Sequence, residues 1–231
     1  MLESDNSPLD ISTFLVASIH DMKNSLCVIN AMLEDVIDQT SDHCCPAHES
    51  VGQVLYESQR VAANLLQLLV IYKLGKGLYP FDPQEHDLTD FTLEAISRVT
   101  HLAQCRAVNI HVECAPDLYW YFDRELVLGA IVQALNNGVR YTSSKVCLQI
   151  GIKDGMLEFR VEDNGPGYPA SMLEEQLPAT RGISFTTGNT GLGLYFSSIV
   201  AEQHQHRGRH GTTRLENGGT LGGGAFVMTL P

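Results

Sequence analysis

The sequence predicts an α+β chain in which an N-terminal helical hairpin, forming a four-helix bundle by dimerisation, is followed by a mixed domain of strands and helices. Three observations carry this. Two N-terminal segments place apolar residues at alternating steps of four and three, a glycine- and proline-rich stretch follows them, and beyond it helical patterns alternate with short runs of period two.

The first seam runs Leu15, Ile19, Met22, Leu26, Ile29, Leu33 and Val36, a heptad pattern that stops in the turn-rich Gln39 to Pro46. Ser7 or Asp10 can cap its start, and Pro8 sits where a first helical turn tolerates proline. The second seam, Val51, Leu55, Ser58, Val61 or Ala62, Leu65, Leu68 or Leu69 and Tyr72, ends at Gly75 and Gly77. Two such helices joined by a short loop make an antiparallel hairpin. One partner helix cannot cover both seams together with Phe14, Val16, Ile37 and Leu66, whereas a second hairpin can, so a homodimer is expected. The predicted organisation is a hairpin over residues 1–76, a linker over 77–86 and a second domain over 87–231.

In that second domain Leu88–Cys105 reads as helix and Val108–Cys114 alternates like a half-buried strand. Residues 123–141 are helical, Lys145–Ile152 and Met156–Glu162 form a hairpin through Asp154-Gly155, and Ala225–Leu230 is a last strand. Helices on one face of a sheet are the expected result.

Composition narrows the function. The 231 residues allow one or two compact units. Fifteen Lys plus Arg against 27 Asp plus Glu give a formal charge of −12, which repels phosphate backbones and anionic membranes and argues against nucleic acid as a partner. The N-terminal MLESDNSPLD is acidic where a signal peptide is basic, and no apolar run approaches the ~18 residues that span a bilayer. A cytoplasmic protein without a membrane span is expected. The six cysteines show no repeated spacing and read as reduced thiols. His43-Cys44-Cys45-Pro46-Ala47-His48 holds four metal-ligand types, but adjacent cysteines rarely reach one tetrahedral centre, and ordinary turn chemistry is the preferred reading.

Four separated segments carry chemistry. His20-Asp21-Met22-Lys23-Asn24-Ser25 lies on the first helix, and Gln133-Ala134-Leu135-Asn136-Asn137-Gly138-Val139-Arg140-Tyr141-Thr142 ends the helix that Asp123 begins. Glu162-Asp163-Asn164-Gly165-Pro166-Gly167 follows a strand, and Thr190-Gly191-Leu192-Gly193-Leu194 opens a helix running to about His204. A glycine-rich segment, Gly218 to Phe226, comes last. In this order the set resembles the transmitter core of a bacterial two-component sensor histidine kinase, with its H box, its N box and the two glycine motifs of a GHKL-type ATP-binding domain. The resemblance covers Phe14 to Pro231 and includes no recognisable sensor domain, so input is expected from a separate sensor protein, from the segment before Phe14 or from a region outside this sequence.

The resemblance implies an ATP-dependent protein-histidine kinase. His20, next to a seam position and so at the rim of the bundle, would be the nucleophile, since a neutral imidazole is competent near pH 7. Asp21 would hold its tautomer and take the proton released as the N–P bond forms. Asn24, one turn on, matches the position that in related kinases helps orient water for dephosphorylating a response regulator. Asp163 would accept the adenine amino hydrogen, and Gly165 and Gly167 would let backbone approach the nucleotide. Gly191 and Gly193, with Asn189 or Thr190 as cap, would open a helix whose amides suit phosphate. Asn137 would coordinate Mg²⁺, its register fixed by Arg140, Tyr141 and Thr142, and Arg140 would offer a cation. The implied partner is a response-regulator receiver domain.

Several positions depart from the family pattern. Gln133 replaces the first N-box asparagine, Ser25 replaces a helix-bending proline, Gly224 replaces a threonine, and Phe185 alone stands for a phenylalanine-rich box. These departures motivate the alternative of a histidine phosphotransfer or phosphatase module with a degenerate ATP domain as docking surface. An ATP-binding serine kinase or ATPase of the wider superfamily would leave the H box unused. His204, His206 and His210, interleaved with Arg207 and Arg209, read as a solvated helix end.

Overall fold

The computed structural model of the chain describes residues 11–39, 46–174 and 191–231. It divides into two compact units, Met1–Tyr79 and Pro80–Pro231. In the first, α1 (Ile11–Gln39) and α2 (Pro46–Gly75) pack against each other. Pro46 occupies the first helical position, where its missing N–H costs nothing. α1 runs unbroken through Ser25, whose hydroxyl donates to the Asp21 carbonyl at 3.0 Å, as a helix without the bending proline should. The heptad seam splits into two halves. Ile19 is buried and Leu26 and Leu33 are half-buried, while Met22, Ile29 and Val36 remain 44–51 % exposed. On α2 Leu55 and Leu69 are buried, and Val61 and Leu68 are exposed.

The second unit begins with β1 (Gln84–Asp87), α3 (Leu88–Cys105), β2 (Asn109–Cys114) and β3 (Tyr119–Phe122). It continues through α4 (Arg124–Tyr141), β4 (Lys145–Lys153), β5 (Met156–Asp163) and α5 (Ala170–Glu174). It closes with α6 (Leu192–Gln203), β6 (Gln205–His206), β7 (Arg209–His210), β8 (Thr212–Asn217) and β9 (Gly224–Leu230). A five-stranded sheet has the order β2-β4-β5-β9-β8, parallel between β2 and β4 and antiparallel elsewhere. Asp154 and Gly155, both at positive φ, turn β4 into β5 as the sequence expects.

Alternation on β5 sorts the two faces of the sheet. Leu157, Phe159 and Val161 are buried on the face that α4 covers, and Phe91 of α3 and Phe122 of β3 pack with Phe159 at ring separations of 5.2–6.2 Å. Glu158, Arg160 and Glu162 lie on the opposite face. There Arg160 pairs with Glu162 and Glu216, and Arg214 pairs with Glu216 and Glu158. Burial, with Glu113 and Glu162 nearby, pushes the Cys147 thiol up to about 11, so it stays protonated and inert at neutral pH.

The expected linker over 77–86 is not free chain throughout. Gln84–Asp87 pairs antiparallel with Tyr119–Phe122, because Asp87 both ends the strand and caps α3, accepting from Thr89 N at 2.7 Å and Asp90 N at 3.3 Å. His204 is also not solvated. It is buried, its Nε2 accepts from Asp123 N at 2.9 Å, its Nδ1 lies 2.7 Å from the Val200 carbonyl, and Phe81 packs edge-on against its ring. This fixes the neutral Nδ1–H tautomer, since a protonated ring would oppose Nε2–H to the Asp123 amide. His206 and His210 are exposed, as expected.

Burial lowers the His204 pKa below its ordinary 6.5, against the opposing pull of the Val200 carbonyl and Asp123. The unfolded chain therefore binds more protons in the window just below 6.5. The stability His204 contributes is complete above that value and is lost as pH falls toward the folded pKa. His86 is shifted the same way, by burial and then Arg124. Urea unfolding of native and His204→Gln chains between pH 7.5 and 5 should show a steeper loss in the native chain; parallel curves would contradict the assignment.

Candidate functional site

Two of the glycine segments singled out in the second unit pack on α4, Gly165 against the Tyr141 carbonyl and Gly193 against the Gln133 side chain. Asp123 caps α4, accepting from Leu126 N at 3.1 Å and from Asp82 N at 3.2 Å, and so fixes the helix that carries Gln133, Asn136, Asn137, Arg140 and Tyr141. Asn136 and Asn137 are both half-buried, and the Arg140 guanidinium lies 5.6 Å from the centroid of the Tyr141 ring.

Asp163 ends β5 on the helix-covered face and is 8 % exposed. Its Oδ1 accepts from Gly165 N at 2.7 Å and more weakly from Gly224 N at 3.4 Å. Glycine is required around it. A Cβ at Gly165 would overlap the Tyr141 carbonyl, and one at Gly223 would lie 2.5–2.6 Å from the Asp163 carbonyl, its Oδ1 and Gly165 N. Gly165 and Gly167, expected to let backbone approach a nucleotide, are each held in a close approach within the protein. The approach is to α4 and, for Gly167 at φ 79°, to the Asn217 side chain.

At Gly224, where the resemblance expects threonine, a Cβ would lie 3.0 Å from both Asp163 Oδ2 and the Tyr168 ring, so a side chain there would require those neighbours to shift. Burial and the neighbouring Asp163 push the Tyr168 phenol up, so it stays protonated. At the start of α6 the cap is Gly191 at φ 62°, with no side-chain cap bond. That corrects the expectation of Asn189 or Thr190, both outside the described residues. A left-handed Gly191 needs no side chain to turn into the helix. Gly193 lies against Gln133, so closely that a Cβ would meet its amide nitrogen at 2.5 Å. The longer glutamine at 133 is thus accommodated by a glycine opposite it.

Sequence reasoning overlooked four contributors. Asn164 Oδ1 accepts from Thr142 Oγ1 at 2.6 Å, Ser144 N at 3.0 Å and Lys145 N at 2.9 Å, tying the end of α4 to the end of β5. Asn217 accepts from Tyr168 N at 2.7 Å and donates to the Tyr168 carbonyl at 2.8 Å. Glu162 and Tyr168 complete the set. Their only sequence signal was their place beside the glycines.

In the first unit Asp21 and Asn24 are exposed on α1, one turn apart. His20 is part of the same helix, and its side chain lies outside those described. Residues 40–45 and 175–190, with Cys44, Cys45, Arg181 and Phe185, also lie outside. Among the described residues no group of three or more His, Cys, Asp or Glu is placed to hold a metal, and no helix is long and apolar enough to cross a membrane.

Residues 123–231 match the family described as histidine kinase-, DNA gyrase B-, and HSP90-like ATPase. The chain is 25% identical over 219 residues to the sensor histidine kinase MtrB of Mycolicibacterium paratuberculosis, covering 92% of this chain and 38% of that protein. It is 24% identical over 227 residues to sporulation kinase B of Bacillus subtilis, covering 96% and 50%. The chain thus spans half or less of these relatives. Among solved structures, Acinetobacter baumannii histidine kinase AdeS aligns with TM-score 0.60 at 15% identity, covering 91% of this chain and 96% of that one. Full-length ShkA in complex with AMPPNP aligns with TM-score 0.63 at 18%, covering 95% and 45%. The second unit thus carries an ATP-binding domain of the histidine kinase-, DNA gyrase B- and HSP90-like class. Within that class, the chain is similar to the kinase regions of sensor histidine kinases.

Proposed function

We propose that this chain is a cytoplasmic, homodimeric protein-histidine kinase that phosphorylates its own His20 from ATP and passes the phosphoryl group to an aspartate of a response-regulator receiver domain. The observation that carries the reading is the buried Asp163 carboxylate, one oxygen engaged by Gly165 N and walled by glycines whose side chains would fill the space, in a chain that also bears His20-Asp21 on a helical hairpin.

In this reading Asp163 accepts from the adenine amino group, Gly165 and Gly167 admit the base, and the Gly191–Gly193 helix start offers amides to the phosphates. Asn137 supplies an amide oxygen of the kind a hard cation takes, and Tyr141 and Arg140 flank it on α4. Bound Mg²⁺ would neutralise charge on the phosphates. His20 attacks the γ-phosphorus, the N–P bond forms as the bond to the ADP oxygen breaks, and Asp21 takes the ring proton. Asn24 would place water for an opposing activity, the hydrolysis of the response regulator's phosphoryl group.

The exposed halves of the two apolar seams, Met22, Ile29 and Val36 on α1 with Val61 and Leu68 on α2, support a second hairpin as their cover. The signal would come from a separate sensor protein, from the segment before Phe14 or from a region outside this sequence. Gln133 favours one rival, a phosphotransfer or phosphatase module whose ATP domain only docks.

The test is incubation with γ-labelled ATP and Mg²⁺. Protein-bound label that is acid-labile and alkali-stable is expected, as for phosphohistidine. ATP binding without label would indicate a phosphatase-biased enzyme, and no ATP binding would favour the docking module.

A further inference from the structure

We infer that Glu162 is a positioning residue for the nucleotide base, acting through Thr220 to seat the β8–β9 turn against Asp163. The inference rests on the reading of Asp163 as the adenine acceptor. Successive residues of β5 point to opposite faces, so Asp163 lies on the helix-covered face and Glu162 on the other.

The segment from the end of β8 to the first residue of β9 contains Gly218, Gly219, Gly222, Gly223 and Gly224 within seven residues. Such a segment has little conformational preference of its own, and its place must be imposed from outside. On one side it forms the wall of the site. Gly218 N donates to the Gly223 carbonyl at 2.9 Å, Gly223 N to the Asp163 carbonyl at 3.1 Å and Gly224 N to Asp163 Oδ1. On the other side Glu162 holds it. Glu162 Oε2 accepts from Thr220 Oγ1 at 2.6 Å and Thr220 N at 3.1 Å, and a Cβ at Gly219 would overlap the same carboxylate.

Glu162 is itself anchored. Its side chain is 1 % exposed, Arg160 Nε donates to Oε1 at 2.5 Å, and Arg160 is tied through Glu216 to Arg214 and Glu158. Burial opposes its ionisation, yet the Thr220 hydroxyl, Arg160 and the Thr220 amide together hold the carboxyl below its ordinary value. It is a fixed anion at neutral pH, and its bonds to Thr220 are charge-assisted.

Thr220 is exposed, so its variants should fold. Titration calorimetry with Mg-ADP and Mg-ATP, beside thermal unfolding of the nucleotide-free chain, compares native protein with Thr220→Val, Thr220→Ser and Glu162→Gln. Thr220→Val and Glu162→Gln should weaken both nucleotides by the same factor, about tenfold, since the base and not the phosphates is displaced. Thr220→Ser, which keeps the hydroxyl, should bind like the native chain. The Thr220→Val chain should still unfold in one cooperative transition, at a somewhat lower midpoint because a buried carboxylate loses a donor, and the double variant should bind no more weakly than the weaker single one. Native affinity in Thr220→Val, or failure of Thr220→Ser to restore it, overturns the positioning role while leaving the nucleotide reading intact. Absence of binding by the native chain overturns the nucleotide reading itself.

Discussion

Asp163→Asn is expected to weaken ATP binding about a hundredfold while the nucleotide-free chain unfolds at nearly its native temperature. The asparagine keeps an acceptor oxygen for Gly165 N and Gly224 N, so the turn that Asp163 Oδ1 organises survives. What changes is the other oxygen, which becomes an amide nitrogen and turns a donor toward the adenine amino group. Losing a charged acceptor is worth about 1.5–3 kcal/mol, and two opposed donors add to it. At about 1.4 kcal/mol per decade this gives the stated factor. The substitution should also erode the preference for ATP over GTP, since guanine offers a carbonyl where adenine offers the amino group. Calorimetry with both nucleotides measures the effect; an unchanged ATP affinity would mean that this carboxylate does not read the base.

The parts of the fold legible in the sequence are those with a local signature. α1, α2 and α4 follow from periodic apolar residues, and the β4–β5 hairpin follows from two alternating runs around Asp154-Gly155. β1 and β3 were not legible. Each is four residues long, they pair across more than thirty intervening residues, and β1 begins in a segment whose prolines and glycines signal a linker.

The site divides in the same way. Asp163 and the glycines announce themselves because close backbone approach restricts residue type. Glu162 and Asn164 act through partners 58 and 22 residues away, and an isolated Glu or Asn carries no sign of that. His204 misled for the same reason: basic neighbours suggested a solvated helix end, whereas its role is set by the amide of Asp123, 81 residues earlier.

His20→Gln should remove protein-bound label entirely, a loss of at least about a thousandfold, and leave ATP affinity at the native value. A neutral imidazole offers a nitrogen lone pair near pH 7, whereas a glutamine amide of similar reach has none that attacks phosphorus. His20 and Asp163 belong to different compact units, so the nucleotide site should not register the change. The two substitutions together test the dimer. At ATP near the native dissociation constant, His20→Gln alone should stay unlabelled for want of its nucleophile, and Asp163→Asn alone should label only about a hundredth as well because its nucleotide site is nearly empty. In a mixture that exchanges subunits, label returning on the Asp163→Asn chain means that one subunit's nucleotide reaches the other's His20. Absence of label in the mixture, with exchange verified, means that each subunit serves its own histidine. If His20→Gln retains acid-labile label, the nucleophile lies elsewhere and the assignment of the first helix fails.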